Sequence, residues 1–392
     1  MGRIIIFTGK GGVGKTSTAA AHGLKASMEG IKTLIVSTDM AHNLSDIFMK
    51  EIKNEPTEIQ ENLWGLEIDP NYEMENYYGN IQAAMKKIMI FKDEKQTENF
   101  EDIVVFPGME ELFSLLKIKD LYDKGIYDLI IVDSAPTGET ISLLKFPELM
   151  SWYMEKLFPI GKVAMKVLRP ISKFAFKMEM PDKQAMNDIE KLYIMFSKLQ
   201  NLLKDKEVCS IRLVTIPEKM VIEETKRNYM YLNLYNFNVD AIYINRIIPK
   251  DIDNNFFDEW KCIQKKYVEE IDSIFLNLPR FKIKWYEIDI NGIEGLELIV
   301  KDSLDVKDIL KVQNVVFTEK FEKVEGGYNL KIYVPFGDKK DLELYETGTD
   351  ISIKIGNFKR NIPCPNSLRK YFISKANFSE DYLSIYFTEK VD

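Results

Sequence analysis

The chain has 392 residues, 45% apolar and 29% charged, an ordinary globular mixture with material for two or three domains of about 150 residues. Its net charge of −8 argues against broad nucleic-acid binding, and no run of about 18 apolar residues offers a spanning helix. Three scattered cysteines (Cys209, Cys262, Cys364) are too few for a disulfide framework, and the N-terminus lacks both a signal peptide's apolar core and a myristoylation signal. A soluble, reduced, cytoplasmic protein is expected.

Ile4-Ile5-Ile6-Phe7 is a β-branched apolar run, the pattern of a buried parallel strand. It passes into Gly9-Lys10-Gly11-Gly12-Val13-Gly14-Lys15-Thr16 and then into helix-forming Ser17-Thr18-Ala19-Ala20-Ala21. Strand, G-x-x-x-x-G-K-T and helix together make a phosphate-binding loop. The glycines let backbone N–H groups curl round a phosphate at the positive end of a helix. Gly9 to Ser17 are therefore the expected nucleotide cradle, with Lys15 reaching the β- and γ-phosphates and the Thr16 hydroxyl holding Mg²⁺. Gly9, Gly11 and Gly14 also spell the dinucleotide fingerprint, but Lys15-Thr16 directly after the last glycine selects a nucleoside triphosphate. Lys10 is an extra cation, either a solvated loop lysine or a second charge offsetting the γ-phosphate in the transition state.

The next strand, Thr33-Leu34-Ile35-Val36-Ser37, leads to Asp39. A carboxylate at a strand's carboxyl end beside the loop can orient a water, and it can equally cap the following helix. His42 is given no chemical role. A third strand, Asp128-Leu129-Ile130-Ile131-Val132-Asp133, ends as a Walker B element in which Asp133 contacts Mg²⁺ directly or through water. Pro136 and Gly138 then form a turn able to rearrange when the γ-phosphate leaves.

Residues 146–200 break the strand pattern with helical spacing at Met150, Met154, Leu157 and Phe158. Seven of the seventeen methionines lie between Met150 and Met195, and residues 151–180 are basic, so this stretch reads equally as core packing or as an apolar groove. It could also lie on an anionic membrane surface. Strands follow at Ile211-Arg212-Leu213-Val214-Thr215 and Ile242-Tyr243-Ile244-Asn245-Arg246, where the Asn245 amide can read a purine edge or simply form a turn. Beyond about Val312 the period falls to two, at Tyr328, Leu330, Ile332 and Val334, then Ile351, Ile353 and Ile355, then Leu383, Ile385 and Phe387. With Gly326-Gly327 and Gly348 as turn signals, this predicts a small β-sandwich. The expected fold is an α/β P-loop NTPase, a mostly parallel sheet flanked by helices over residues 1–312 with a helical insertion at about 146–200. An all-β sandwich over 313–392 completes it.

Lys-Gly-Gly-x-Gly-Lys-Thr resembles the deviant phosphate loop of dimeric ATPases. Asp39-x-Ala41-His42-Asn43-Leu44-Ser45-Asp46 and Asp133-Ser134-Ala135-Pro136-Thr137-Gly138-x-Thr140 narrow the resemblance. They are similar to the family uniting arsenical pump-driving ATPases with the targeting factor for tail-anchored membrane proteins. Pro107-Gly108-Met109-Glu110-Glu111 and Pro217-Glu218-Lys219-Met220-Val221-Ile222-x-Glu224-Thr225 agree, so the similarity covers about residues 1–300. The resemblance implies a homodimer in which Lys10 crosses to the partner's ATP. It also implies that Asp39 activates water, Asn245 contacts adenine and Glu218 lies by the nucleotide near the interface. The C-terminal strands resemble the small-heat-shock-like (α-crystallin-like) domain of some bacterial members.

Two positions depart from the family pattern: Met40 stands where proline is usual, and Glu139 where histidine is usual. Asn254 and Phe257 occupy the places of the targeting factors' zinc-binding cysteines, so no structural zinc is expected. The scattered cysteines argue against the arsenite pump's metalloid site. The expected activity is Mg²⁺-dependent ATP hydrolysis that opens and closes a helical surface for a hydrophobic client, such as an apolar transmembrane segment. The alternative is the energising subunit of an arsenite or anion efflux pump, with a membrane protein as partner and peripheral membrane association. A partition or septum-positioning ATPase is disfavoured by the strand-like C-terminus. No nucleic-acid partner is expected.

Overall fold

The computed structural model describes residues 2–39, 43–76, 109–135, 137–138, 140–142, 144–145, 148, 183–304, 310–347, 350–356, 358–363, 368 and 370–389. Among these, the β-branched runs form the centre of an eight-stranded sheet in the order β3-β4-β2-β5-β1-β6-β7-β8. Its strands are β1 (Arg3–Thr8), β2 (Thr33–Ser37), β3 (Thr57–Gln60), β4 (Leu63–Glu67), β5 (Leu129–Asp133), β6 (Cys209–Thr215), β7 (Val239–Ile247) and β8 (Arg280–Lys284). Only the β3–β4 pair is antiparallel. β1, β2, β5 and β6 are buried along their whole length, which is why they read as continuous apolar runs rather than alternating ones. The edge strands β3 and β8, and β4 beside β3, were not among the predicted elements.

Register decides what meets at the sheet's carboxyl edge. Phe7 of β1 and Ser37 of β2 both pair with Asp133 of β5, so the loops leaving all three strands start at one level. α1 (Lys15–Met28) lies against the sheet through Ala19, Ala20, Ala21 and Leu24, each wholly buried. These small side chains let helix and sheet approach closely. α2 (Asn43–Phe48) follows β2. At the sheet's opposite edge, Asp240 accepts from Arg212 Nε at 3.3 Å and from the Gln313 N–H at 3.2 Å, pinning the segment that leads into the C-terminal strands.

Residues Asp69–Asp123 and Ser142–Leu202 group into a compact unit of their own. It holds α3 (Pro70–Asn76), α4 (Met109–Asp123) and most of α5 (Lys183–Lys204). Lys117 Nζ donates to the buried Glu73 carboxylate at 2.9 Å, fastening α4 to α3. The predicted helical insertion thus has a described helical part in α5. Its methionine-rich basic stretch, 151–180, lies outside the described residues. Residues 69–123 belong to the same unit, a grouping the sequence reading did not make.

The C-terminal strands form a four-stranded antiparallel sheet, β14-β15-β10-β9, and a three-stranded one, β11-β12-β13. They are β9 (Glu319–Val324), β10 (Gly327–Tyr333), β11 (Leu342–Thr347), β12 (Asp350–Ile355), β13 (Phe358–Pro363), β14 (Tyr371–Ser379) and β15 (Tyr382–Glu389). The period-two residues Leu330, Ile332, Ile351, Ile353, Leu383, Ile385 and Phe387 share one buried cluster between the sheets. Two further members, Met230 and Leu234, come from α6 (Lys219–Leu234), the helix after β6. Arg360 Nη1 donates to the Leu234 carbonyl at 2.7 Å and caps that helix from β13.

Candidate nucleotide site

The loop after β1 can only be built from glycine at several places. A Cβ on Gly9 would lie 2.2 Å from the Val214 carbonyl oxygen, and Gly14 has φ +89. A side chain there would also meet the Asn245 amide at 2.2 Å. α1 starts at Lys15 with no side-chain cap and no acidic residue in its first turn. Its first N–H groups are therefore left for an anion, which the helix dipole favours. Thr18 Oγ1 donates back to the Gly14 carbonyl at 2.7 Å, fixing the turn.

A cleft of about 620 Å³ opens at the carboxyl edge, within the usual range for small-molecule sites. Gly11, Gly12, Gly14, Lys15, Thr16, Ser17, Asp39 and Asn245 line one side. Lys284, Trp285, Tyr286 and Asp289 line the other. Trp285 and Tyr286, just after β8, offer flat apolar faces suited to a purine ring. The sequence reading missed them because their strand carries no motif. Asn245 Nδ2 donates to the Val13 carbonyl at 2.9 Å, and its Oδ1 accepts from the Arg246 N–H at 2.8 Å. It thus props the phosphate loop as well as lining the cleft.

Asp133 is buried, and neither carboxylate oxygen meets a hydrogen-bond donor at bonding geometry. Burial pushes its carboxyl up to about 7; the Thr16 hydroxyl and the Lys15 ammonium oppose that rise without cancelling it, and the Asp39 charge adds to it. An orphaned carboxylate beside a hydroxyl and an anion cradle is chemically matched to a hard divalent cation or its water shell. Thr16 and Asp133 fit Mg²⁺ on that ground. Asp39 follows β2, its N–H donating to Ser37 Oγ at 3.2 Å, and lines the cleft.

Five predicted residues, Gly9, Lys10, Val13, Asp133 and Glu218, are not among those lining the cleft. Gly9 packs against the Val214 carbonyl, Val13 accepts from Asn245 through its own carbonyl, and Lys10 Nζ lies 4.0 Å from a Glu224 oxygen. Glu218 is exposed at the N-cap of α6. Met40, His42, Pro136 and Glu139 lie outside the described residues. Asn254 caps α7 (Asn255–Ile274) by accepting from the Phe256 N–H at 2.9 Å, and Phe257 meets Trp285 edge-on.

The profile of the family described as "Anion-transporting ATPase" matches residues 2–304. The chain belongs to that family. It is an ATPase. A second profile, "HSP20-like domain found in ArsA", matches residues 325–387, where the antiparallel strands lie. "Putative arsenical pump-driving ATPase 1" of Aquifex aeolicus is 35% identical over 395 residues, covering 98% of this chain and 99% of that protein. The "Putative arsenical pump-driving ATPase" of Prosthecochloris vibrioformis is 34% identical over 391 residues, 98% and 96% of the two chains. "ATPase get3" of Botryotinia fuckeliana is 28% identical over 303 residues, 75% of this ATPase and 87% of that one.

Proposed function

We propose that the ATPase works as a homodimeric switch: Mg²⁺-ATP binding closes two copies on each other, and hydrolysis releases them, opening and closing a helical surface for a hydrophobic client. The placement of Lys10 carries this reading. Lys15 lines its own chain's cleft and Lys10 does not, while Lys10 keeps 37% of its side chain exposed. A second loop cation facing away from its own nucleotide is available to a partner's γ-phosphate. The motif resemblance to the targeting factors for tail-anchored membrane proteins favours a transmembrane segment as client.

In the chemical step Asp39 orients a water and accepts its proton. Lys15 and the N–H groups of the loop and α1 hold the phosphates, and Asn245 with Trp285 and Tyr286 holds the base. Thr16 and Asp133 would hold Mg²⁺, which would supply positive charge to offset that of the phosphates. ATP favours the closed pair because each γ-phosphate then contacts both chains, and cleavage removes that differential contact. We place the ATPase in residues 1–312, the sandwich in 313–392 and the protein in the cytoplasm.

The test mixes the protein with a labelled apolar transmembrane peptide, with and without ATP, while scattering reports mass. A Lys10→Ala chain that still hydrolyses ATP as a monomer, or a peptide that binds in no nucleotide state, removes this reading. A second reading, the energising subunit of an arsenite pump, is favoured by the names of the arsenical pump-driving relatives. Against it, Cys209 is buried with its thiol pushed up to about 12, whereas Cys262 is exposed on α7. Arsenite-stimulated hydrolysis decides for the pump.

A further inference from the structure

One carboxylate meets both the phosphate loop and the segment after Asp133. Glu224 Oε1 accepts from the Thr137 hydroxyl at 2.8 Å, four residues after Asp133. Its other oxygen faces Lys10 Nζ at 4.0 Å. The phosphate loop and the segment after β5 are therefore linked through a side chain of α6, more than 80 residues from either. Glu224 stands in the segment from Pro217 to Thr225 that carries the family resemblance, where the sequence assigns it no role.

α6 is anchored at its middle and at its C-terminal end. The Thr225 hydroxyl lies 3.0 Å from that of Thr215, at the end of β6, and Met230 and Leu234 are buried in the sandwich cluster. Tyr235, just beyond the helix, donates to the Lys359 carbonyl at 3.0 Å. A carboxylate on a helix held this way is a fixed post against which the two loops are placed. Lys10 and Glu224 keep 37% and 31% of their side chains exposed, so water screens the pair and a triphosphate can displace it.

We propose that Glu224 is a positioning residue of ATP hydrolysis, tethering Lys10 in the nucleotide-free chain and surrendering it to the γ-phosphate on ATP binding. The proposal rests on the reading that Lys10 engages a γ-phosphate. Glu224 keeps its bond from Thr137 during the exchange, so the segment after Asp133 stays tied to α6 while Lys10 leaves. The tether sets how much triphosphate is needed to recruit Lys10, and nucleoside diphosphate, lacking the γ-charge, leaves Lys10 with Glu224.

The test is equilibrium binding of a fluorescent, non-hydrolysable ATP analogue with Mg²⁺ to wild type, Glu224→Gln, Glu224→Asp, Lys10→Ala and the Lys10→Ala/Glu224→Gln double variant. Glutamine keeps the acceptor for Thr137 and removes only the charge. Expected is binding tighter by about two- to fivefold in Glu224→Gln at low salt, a gap that closes near 1 M salt. Glu224→Asp should bind as wild type does, and an ADP analogue should show no gap. In the Lys10→Ala background, Glu224→Gln should change nothing. Unchanged affinity in Glu224→Gln, alongside an inactive Lys10→Ala, overturns the tether alone. An equal shift with and without Lys10 means bulk electrostatics and also overturns it. Wild-type hydrolysis and dimerisation in Lys10→Ala overturn the tether together with the reading beneath it.

Discussion

His22 Nε2 lies 2.8 Å from the hydroxyl of Tyr243, and His22 Nδ1 lies 2.7 Å from the Thr18 carbonyl. A carbonyl only accepts, so Nδ1 carries the proton and Tyr243 donates to Nε2. The helix behind the phosphate loop is thus hydrogen-bonded to the centre of β7 through a neutral imidazole. Burial, reinforced by the Arg212 charge, pushes the histidine down to about 3.

This histidine and Asp133 should give opposing pH dependences of folding. A base lowered to about 3 contributes stability above its unfolded value of 6.5 and loses it as pH falls toward 3. A carboxyl raised to about 7 does the reverse, its contribution present below 3.8 and lost as pH rises to 7. Between those limits the two slopes offset each other in the wild type. Asp133→Asn removes one of them, so without nucleotide the variant should gain on wild type by up to about 4 kcal/mol from pH 4 to pH 8. Urea unfolding at several pH values measures it, and a pH-independent difference contradicts it.

Asp39→Asn should leave ATP binding within about twofold of wild type, because phosphate and base are held elsewhere. Turnover should fall by a factor on the order of 10² to 10⁴, the usual contribution of a positioned base. Phosphate release beside equilibrium binding separates the two effects.

Gly14→Ala should be costly twice over. The new methyl would sit at φ +89 and 2.2 Å from Asn245 Nδ2, so that amide must abandon the Val13 carbonyl. A loss of about 1–3 kcal/mol is expected, with nucleotide affinity down by more than tenfold. Thermal unfolding and titration calorimetry are the measurements. Gly11→Ala, with nothing within 4 Å of its Cβ, should be milder in unfolding.

The parts of this molecule that were legible in its sequence are those specified by neighbours in the chain. Glycine spacing before Lys15-Thr16 marks the loop, β-branched runs mark β1, β2, β5, β6 and β7, and period-two alternation marks β10, β12 and β15. Glu224 stood in the segment from Pro217 to Thr225, but its role was not legible there, because it depends on Lys10, 214 residues earlier. Trp285 and Tyr286 were missed for a like reason, since register rather than motif brings them to the cleft. Asn245 stood out by its place at a strand end, but not its hold on the Val13 carbonyl.

Leu234→Ala should destabilise the sandwich as a substitution in its own strands would, by about 2–5 kcal/mol. The side chain is wholly buried among Leu330, Ile353 and their neighbours. Hydrogen exchange at β10, β12 and β15 should quicken, and exchange confined to α6 would speak against the shared core.

That shared core also bears on how such a chain could arise. Detaching the C-terminal strands would leave Met230 and Leu234 facing water on one fragment and an open-sided barrel of isoleucines on the other. Shedding this appendage without exposing those side chains calls for a change in one turn of α6 as well.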